Sequence, residues 1–287
     1  MIHLVTFSDE SMSRAAELCV SSALRYGCDD YDHLYANSLK YHDFYKENES
    51  LLSQSRGVGY WAWKPYLIQH ALQFGPNGDT VIYADAGIEF IAPVQHIIER
   101  MGHDEPQDDV WLFGNNWEHA HWCKRDTADK IYPARRSLPS PKTESGKLLE
   151  LVSQWGRFGK QCQASVIFFR VSDYSRAFVA EWLKWCLHDG GRLIDDSPSV
   201  LPNHPEFREH RHDQAILTTL AYREGIPLHY WPGVYNRFLG QEFIYEKLPC
   251  YASDTYGPMF HHHRLRDHEW PSLQGVPWAN LHPNHYK

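Results

Sequence analysis

The feature that most constrains the fold is a short apolar run that ends in a carboxylate. Residues 80–83 (Thr-Val-Ile-Tyr) are apolar on both faces, and Asp85 and Gly87 follow them. A strand without polar alternation is typical of the centre of a parallel sheet, where helices cover both faces. Such open α/β sheets bind ligands at the carboxyl ends of their strands. The sequence therefore predicts an α/β fold that carries Asp85 at a ligand-binding edge.

Helix and strand patterns alternate along the rest of the chain. The apolar run Ile2 to Phe7 predicts a first strand, and Ser8 and Asp9 can cap a helix that runs to Arg25. Further strands are predicted at residues 32–36, 110–113, 164–169 and 227–231, and further helices from 65, over 173–187 and from 213 to 225. This alternation predicts a mainly parallel central sheet flanked by helices, with an irregular C-terminal tail after residue 256.

Composition limits the partners. The net charge of -8 argues against nucleic acid or an anionic membrane as the main partner, because there is no excess of Lys and Arg to replace phosphate counterions. The chain has no apolar stretch of about 18 residues and no basic segment followed by a long apolar run at its start. We therefore expect a cytoplasmic protein without an integral membrane segment. The six cysteines form no Cys-x-x-Cys pair, which favours free buried thiols over disulfides.

Four short motifs occur in a defined order. They are Lys64 at a Trp-Lys-Pro helix start, the strand leading to Asp85, the Gln-Ala-Ser strand start at 163–165, and the His-Asp-Gln helix start at 212–214. Together they resemble GT-A nucleotide-sugar glycosyltransferases, most closely the glycogenin-like family 8 and related retaining enzymes. The resemblance implies a Rossmann-like GT-A fold and transfer of a sugar from a nucleotide diphosphate, expected to be UDP, to a glycan hydroxyl, with retention of anomeric configuration.

The resemblance also implies how the chain is organised. It covers residues 2 to about 265 and predicts one GT-A-like domain over residues 1–287. Within it, residues 1–117 would form the nucleotide-sugar-binding half, residues 118–160 an excursion without clear periodicity, and residues 161–287 the acceptor half and tail.

The resemblance assigns a metal and a diphosphate site. Departure of a diphosphate requires neutralisation, usually by Mn²⁺ or Mg²⁺ on carboxylates. Asp85 would be one ligand, but the second Asp of the family's Asp-x-Asp is Gly87 here. Glu89 is no simple substitute, because two residues along a strand shift a ligand by about 6.6 Å. Either other groups complete the metal site, or cations such as Lys64 and Arg264 take part of its role.

The triplet His261, His262 and His263 is expected to complete the metal site, with His261 and His263 as the assigned ligands and Arg264 on the phosphates. The family's following Gly-x-x-Lys is absent, and a His triplet is also compatible with a solvated loop.

The remaining donor and catalytic residues follow from the same resemblance. Thr6 and Phe7, at the end of the first strand, would hold the base, and Lys64, Tyr83 and Gly87 would line the donor site. Asp213 and Gln214 would face the reacting sugar, where a carboxylate or amide oxygen stabilises an oxocarbenium-like transition state. The acceptor side is assigned to Arg157, His212 and Trp117. For Asp85 and Asp213, a simple turn or helix cap is the structural alternative.

Two other function classes compete with this interpretation. The segment Glu118-His-Ala-His121-Trp-Cys123 has metal-ligand residues at close spacing, which would fit a metal-dependent hydrolase, although no His-Glu-x-x-His helix is present. The incomplete Asp-x-Asp and the aromatic content of 14% would instead fit a non-catalytic carbohydrate- or nucleotide-binding protein.

Overall fold

A computed structural model describes residues 1–133, 155–235 and 257–269. The strands in these parts are β1 (Ile2–Ser8), β2 (Asp30–Tyr35), β3 (Thr80–Ala84), β4 (Ile88–Phe90), β5 (Val110–Glu118), β6 (Lys160–Arg170), β7 (Leu228–His229), β8 (Gly233–Tyr235) and β9 (Phe260–His262). The four longest helices there are α1 (Ser13–Arg25), α2 (Trp63–Phe74), α3 (Asp173–Leu187) and α4 (His212–Glu224). Shorter helical segments are Ala36–Leu39, Asp43–Glu47, Glu49–Leu52, Gly57–Tyr60, Gln95–Ile98 and Arg125–Ile131.

The central sheet has six strands in the order β2-β1-β3-β6-β5-β7. β1 pairs in parallel with β2 and β3, and β5 pairs in parallel with β7. Only β6 among these strands runs against its neighbours, β3 and β5. The expected α/β class with a mainly parallel sheet is therefore confirmed. The direction of β6 was not predictable, because its apolar run has the same pattern in either direction.

Apolar layers cover both faces of the sheet. Val81 and Tyr83 of β3 face a core shared with α2, α3 and α4. Ile82 and Ala84 face a second core, shared with α1 and with strands β4 and β9. This two-sided burial explains why β3 lacks polar alternation.

A second sheet brings the C-terminal part of the chain to the site. It has three strands in the order β4-β9-β8, with β9 antiparallel to β4 and parallel to β8. The expected irregular tail thus contains a strand. A run of three residues was too short to be detected from periodicity. Because of this second sheet, residues 260–266 lie beside the end of β3.

Other expectations hold with shifted boundaries. α2 begins at Trp63 rather than at Pro65, and the strand expected over residues 227–231 covers Leu228–His229. Residues 134–154 of the expected excursion lie outside the described residues, and its limits and the other domain boundaries stay predictions. The described cysteines, Cys19, Cys28, Cys123, Cys162 and Cys186, are free and buried, while Cys250 lies outside the described parts. Within the described ranges, no helix combines the length and apolar character that spanning a membrane requires.

Candidate active site

A cavity of about 640 Å³ opens at the carboxyl ends of β1 and β3. Phe7, Ser8 and Asp85 line it from the strand ends. The start of α2, the start of α4, residues 55–61 and residues 262–266 form its other walls. This is the edge at which the sequence places a ligand, and it is formed by segments that are up to about 250 residues apart.

Lys64 lies at the centre of the site and is only 3% exposed. Its ammonium donates to the carbonyl of Ala164 at 2.9 Å. The same nitrogen lies 3.2 Å from Asp85 Oδ1 and 3.1 Å from Asp213 Oδ2. Burial opposes a charge on Lys64, but the two carboxylates outweigh burial and raise the pKa of the ammonium. Lys64 is therefore a permanent cation between two carboxylates.

Asp85 directly follows β3, and its side chain is 35% exposed to the cavity. Its Oδ1 accepts a hydrogen bond of 2.7 Å from the hydroxyl of Tyr83 and pairs with Lys64. Its Oδ2 makes no hydrogen bond or ion pair to another described side chain. One carboxylate oxygen is thus fixed by the protein, and the other is left for a ligand.

Asp213 occupies the first turn of α4 and is buried. Burial raises the pKa of its carboxyl to about 6, and Asp85 adds to the rise, while Lys64 opposes it. The ion pair with Lys64 does not compensate for the loss of water because the charge of Lys64 is shared with Asp85. At neutral pH most of the Asp213 population is still ionised.

The neighbours of Asp213 hold it in place. Gln214 donates to Gln161 Oε1 at 2.6 Å and accepts from the amide of Ala164 at 3.3 Å, which ties α4 to β6. His212 hydrogen-bonds the carbonyl of Ile194 at 2.8 Å, and its φ is +46°. This left-handed backbone immediately before Asp213 redirects the chain into the helix. Gln214 and His212 both line the cavity, as the sequence predicts for residues of the site.

Gly87 and Arg264 pack directly against each other. The carbonyl of Gly87 accepts from the amides of His263 and Arg264 at 3.0 and 3.4 Å. A Cβ atom at residue 87 would lie 3.1 Å from the Cα of Arg264. A side chain at residue 87 would therefore be crowded by the backbone of Arg264, which would have to shift by a few tenths of an ångström.

The three histidines of the triplet point in different directions. His262 lines the cavity, and its Nε2 accepts from Arg264 Nε at 3.0 Å. His261 pairs with the buried carboxylate of Glu89 at 3.1 Å, and His263 Nδ1 accepts from the amide of Leu265. His261 and His263, the assigned metal ligands, are not part of the cavity wall; the middle histidine is, because neighbouring residues of a strand face opposite sides.

Of the two β1 residues that were expected to hold the base, Phe7 lines the cavity and Thr6 does not. Phe7 lines the cavity and stacks on Trp63 with ring centroids 3.8 Å apart. Thr6 is fully buried, and its hydroxyl donates to the carbonyl of Ala84 at 2.8 Å. The ring of Tyr83 lies below Lys64, with the ammonium 4.8 Å from its centroid. Thr6 is thus a link between strands, while Phe7 and Tyr83 belong to the cavity.

An aromatic and cationic platform lies at the rim. Trp117 stacks on Trp122 at 4.7 Å, and the guanidinium of Arg211 lies 4.8 and 4.7 Å from the two ring centroids. Trp117 is 39% exposed, and Arg211 also lines the cavity. Arg157, the other assigned acceptor residue, pairs with Asp129 at 2.6 Å and is not part of the cavity wall.

Sequence reasoning missed a strained segment of the wall. Five consecutive residues, 57 to 61, have positive φ, including Val58 at 52°, Tyr60 at 56° and Trp61 at 62°. The rings of Tyr60 and Trp61 contact the ring of His212, with centroids 5.1 and 5.4 Å apart. The only signal in the sequence is the pair Gly57 and Gly59. This left-handed turn, residues 57–61, holds the residue that precedes Asp213.

Three further arginines that the sequence-based site assignment did not include line the cavity, namely Arg56, Arg211 and Arg266. Arg56 pairs with Asp196 at 3.2 Å and Arg211 pairs with Glu209 at 2.8 Å. Arg266 donates to the hydroxyl of Ser11 at 2.7 Å. Arginine spacing alone carried no signal for these positions, because they come together only through the second sheet and the start of α4.

The residues of the hydrolase interpretation do not form a metal-binding group, although His119 and Cys123 both contact the hydroxyl of Thr219, at 3.0 and 3.9 Å. His119 is buried against Thr219, and burial lowers its pKa to about 3, helped by Arg157. His121 pairs with Glu206, whereas Cys123 is buried and contacts the carbonyl of Lys124. Across residues 1–133, 155–235 and 257–269, no three His, Cys, Asp or Glu side chains form a group that could hold a metal ion.

Comparison with known proteins gives structural likenesses alone. No family model matches the chain, and no curated protein matches its sequence. Among solved structures, mouse xyloside xylosyltransferase 1 in its apo form is similar, with 12% identity and a TM-score of 0.45, over 91% of this chain and 97% of that one. The galactosyltransferase LgtC, in complex with donor and acceptor sugar analogues, is also similar, with 12% identity and a TM-score of 0.44. The match covers 91% of this chain and 87% of LgtC.

A third similar structure is the apo form of the bifunctional glycosyltransferase WbbM, with 12% identity and a TM-score of 0.41, over 82% of this chain and 40% of that one. All three are named as glycosyltransferases. This chain thus spans less than half of WbbM. At 12% identity and TM-scores below 0.5, these likenesses carry no functional argument, so function has to be argued from the site.

Proposed function

We propose that the protein is a glycosyltransferase that moves a sugar from a nucleoside diphosphate donor, with UDP as the expected nucleotide, to a hydroxyl group of a glycan. The observation that carries this proposal is the convergence of Lys64, Asp85 and Asp213 at the carboxyl edge of the sheet. The ammonium of Lys64 lies within 3.2 Å of a carboxylate oxygen of both Asp85 and Asp213. The three residues line a cavity of about 640 Å³ whose wall also contains several arginines. Buried carboxylates beside a cationic wall suit a reaction in which positive charge develops on a sugar while a diphosphate departs.

Asp213 is assigned to the reacting sugar. As the glycosidic bond to the diphosphate breaks, positive charge develops at the anomeric carbon, and an ionised carboxylate next to it lowers the energy of that state. Because Asp213 is buried, its charge is poorly screened by water and acts more strongly there. Gln214 lines the same wall and can hydrogen-bond the sugar. A retaining outcome remains part of this proposal.

Lys64 is assigned a positioning role in this mechanism. Its three contacts occupy the ammonium with Ala164, Asp85 and Asp213, so its charge serves to hold the two carboxylates close together. Asp85 then presents its second oxygen to a hydroxyl group of the donor. Phe7, stacked on Trp63, offers an aromatic face at the end of β1, where the resemblance places the base.

The acceptor is assigned to the platform of Trp117, Trp122 and Arg211. Sugar rings bind on aromatic faces, and Arg211 provides hydrogen-bond donors at the boundary between platform and cavity. His212 lies between this platform and Asp213 in the sequence and in the wall of the cavity. In this proposal Arg211, and not Arg157, is the arginine that contacts the acceptor.

A divalent metal is the expectation from the resemblance, with Asp85, His261 and His263 as ligands and Mn²⁺ or Mg²⁺ as the ion. The residues fit this group poorly. Oδ1 of Asp85 is already held by Tyr83 and Lys64, Gly87 supplies no carboxylate, and His261 is paired with Glu89. The described side chains thus form no group of ligands suited to that ion.

The test is turnover. A panel of UDP-, GDP- and CDP-sugars is mixed with oligosaccharide acceptors, and release of the nucleoside diphosphate is measured. Asp213→Asn keeps the size of the side chain and removes its charge, and we expect a loss of at least about 100-fold. Asp173→Asn, at a fully exposed carboxylate in the first turn of α3, is the matched control and should keep full activity.

The same experiment addresses a non-catalytic binding protein. Such a protein would bind a nucleotide sugar without releasing diphosphate, and Asp213→Asn would leave binding unchanged. Absence of binding and of turnover with every donor would refute the proposed function. A cytoplasmic location and a role in polysaccharide biosynthesis stay predictions.

A further inference from the structure

The cavity wall carries two arginines, Arg264 and Arg266, whose guanidinium groups form no ion pair with a carboxylate of the described residues, although the amide of Arg266 donates to Glu269 at 2.6 Å. The side chain of Arg264 contacts His262 and lies 6.0 Å from the ring of Tyr235, and Arg266 contacts the hydroxyl of Ser11. Neither forms an ion pair with a described carboxylate, and both are exposed. In contrast, Arg56 and Arg211 each pair with carboxylates of the chain. Arg264 and Arg266 therefore retain their full charge for a ligand.

The local backbone directs both arginines to the same place. Leu265 between them is buried, whereas Arg264 and Arg266 are both exposed and both line the cavity. The amide of Arg264 bonds to the carbonyl of Gly87, and its φ is +55°, so its backbone is fixed beside the end of β3. Burial lowers the pKa of His262 well below its usual value, and Arg264 adds to this. The neutral ring can accept the hydrogen bond from Arg264 and orient the guanidinium.

Arg264 also packs against Gly87, the position at which the family's motif has its second metal-binding carboxylate. A Cβ at residue 87 would lie 3.1 Å from the Cα of Arg264, so the wall offers a cation where an Asp-x-Asp enzyme offers an anion. Of the carboxylates in the cavity wall, Asp85 and Asp213 already share Lys64, and Asp9 accepts from the amide and the hydroxyl of Ser11. One guanidinium group can donate two parallel hydrogen bonds to two phosphate oxygens, and it needs no metal to do so.

We propose that Arg264 and Arg266 bind the diphosphate of the donor directly, so that nucleotide binding and sugar transfer do not require a divalent metal. This inference rests on the proposed function, since it names the groups that neutralise the departing diphosphate of that reaction. Arg264 lies next to Asp85 and contacts one end of the diphosphate, while Arg266 lies toward Ser11 after β1 and contacts the other.

The experiment is titration calorimetry of the full chain with UDP, GDP, CDP and ADP, in EDTA and in separate runs with Mn²⁺ or Mg²⁺. We expect the tightest-binding nucleotide to bind in EDTA with a Kd within about threefold of its value with metal. Arg264→Ala and Arg266→Ala should each raise that Kd about tenfold or more, as expected for the loss of hydrogen bonds to a charged group. Arg264→Lys, which keeps the charge and loses the paired geometry, should give a smaller increase.

Arg25→Ala is the matched control, because Arg25 is an exposed arginine on α1 that makes no ion pair or hydrogen bond with the described side chains. Melting temperatures of all variants identify any loss of folding. Binding that appears only with Mn²⁺ or Mg²⁺ would overturn the inference and leave the proposed function intact. Binding in EDTA that neither Arg264→Ala nor Arg266→Ala weakens would overturn the two-arginine assignment. Failure of every nucleotide under every condition would overturn both the inference and the proposed function.

Discussion

Lys64 determines how close Asp85 and Asp213 can lie to each other. Two carboxylates at one site repel, and one of them takes up a proton unless a cation lies between them. Lys64 provides that cation and is itself buried, so its charge depends on both acids. Lys64 and Asp213 are each costly to bury alone, and with the partly exposed Asp85 they form a compact unit.

Removing the cation therefore has a large effect. Lys64→Met keeps a chain of similar length and leaves Asp213 buried without its partner, so we expect the free energy of unfolding to fall by about 3–5 kcal/mol. The pKa of Asp213, already raised to about 6, should rise further because the opposing charge is lost. Denaturant unfolding measures the first effect. The double variant Lys64→Met with Asp213→Asn should recover part of the loss, whereas equal loss in single and double variants would contradict the coupling.

At the scale of elements, the left-handed turn of residues 57–61 is the most constrained part of the site. Residues other than glycine cost about 1–2 kcal/mol each in the left-handed region. Val58, Tyr60 and Trp61 all adopt it, and the rings of Tyr60 and Trp61 pack on His212. Strain of this kind at a cavity wall indicates a functional constraint, because the surrounding structure has to maintain it.

Gly59 makes the turn possible in a way that can be tested. Its φ is +83°, and a Cβ there would lie 2.6 Å from the Cα of Leu52 and 2.8 Å from the carbonyl oxygen of Leu51. Gly78 has a similar φ of +93° and open space around it. We expect Gly78→Ala to cost about 1 kcal/mol in unfolding free energy and Gly59→Ala to cost roughly 1–3 kcal/mol more. Equal costs would show that contact with residues 51 and 52 has no role.

Elements also show how far the sequence alone could lead. The apolar run of β3 predicts its central position and the location of Asp85, because a strand buried on both faces has a distinctive composition. The convergence of Lys64, Asp85 and Asp213 was expected from motif order and strand-end geometry. The sequence alone could not predict that His262, and not His261 or His263, faces the cavity, because the register of β9 is fixed by its partners β4 and β8. The turn at 57–61 was missed because its three non-glycine residues disfavour the conformation that tertiary contacts impose.

At the scale of the whole molecule, buried histidines determine how stability depends on pH. Burial lowers the pKa of His119 to about 3 and that of His210 well below its usual value. In the unfolded chain both take up protons below about pH 6.5, while in the folded protein they stay neutral. Stability is therefore lost as the pH falls below about 6.5. Asp213 acts in the opposite direction, because its pKa is raised on folding, but it contributes only one proton.

We expect the free energy of unfolding to decrease from pH 7 toward pH 5. His119 and His210 together contribute up to roughly 3 kcal/mol per pH unit to this slope, and Asp213 offsets up to about 1.4 kcal/mol per pH unit of it. Urea unfolding at a series of pH values measures this slope. His119→Gln should reduce this slope by up to about 1.4 kcal/mol per pH unit, which is the contribution of one proton. A stability that increases on acidification across this range would show that these histidines are protonated in the folded protein.

The order in which the cavity walls occur in the chain has a consequence for synthesis. Asp85 is translated early, Asp213 follows much later, and Arg264 and Arg266 come after both, yet all four line one space. While the chain is still emerging from the ribosome, Lys64 and Asp85 can meet, but the ammonium lacks its second carboxylate and the pocket lacks its C-terminal wall. Nascent chains that stop before residue 266 would therefore carry the central strands without a complete pocket, so the wall of the cavity closes only after residue 266 has been made.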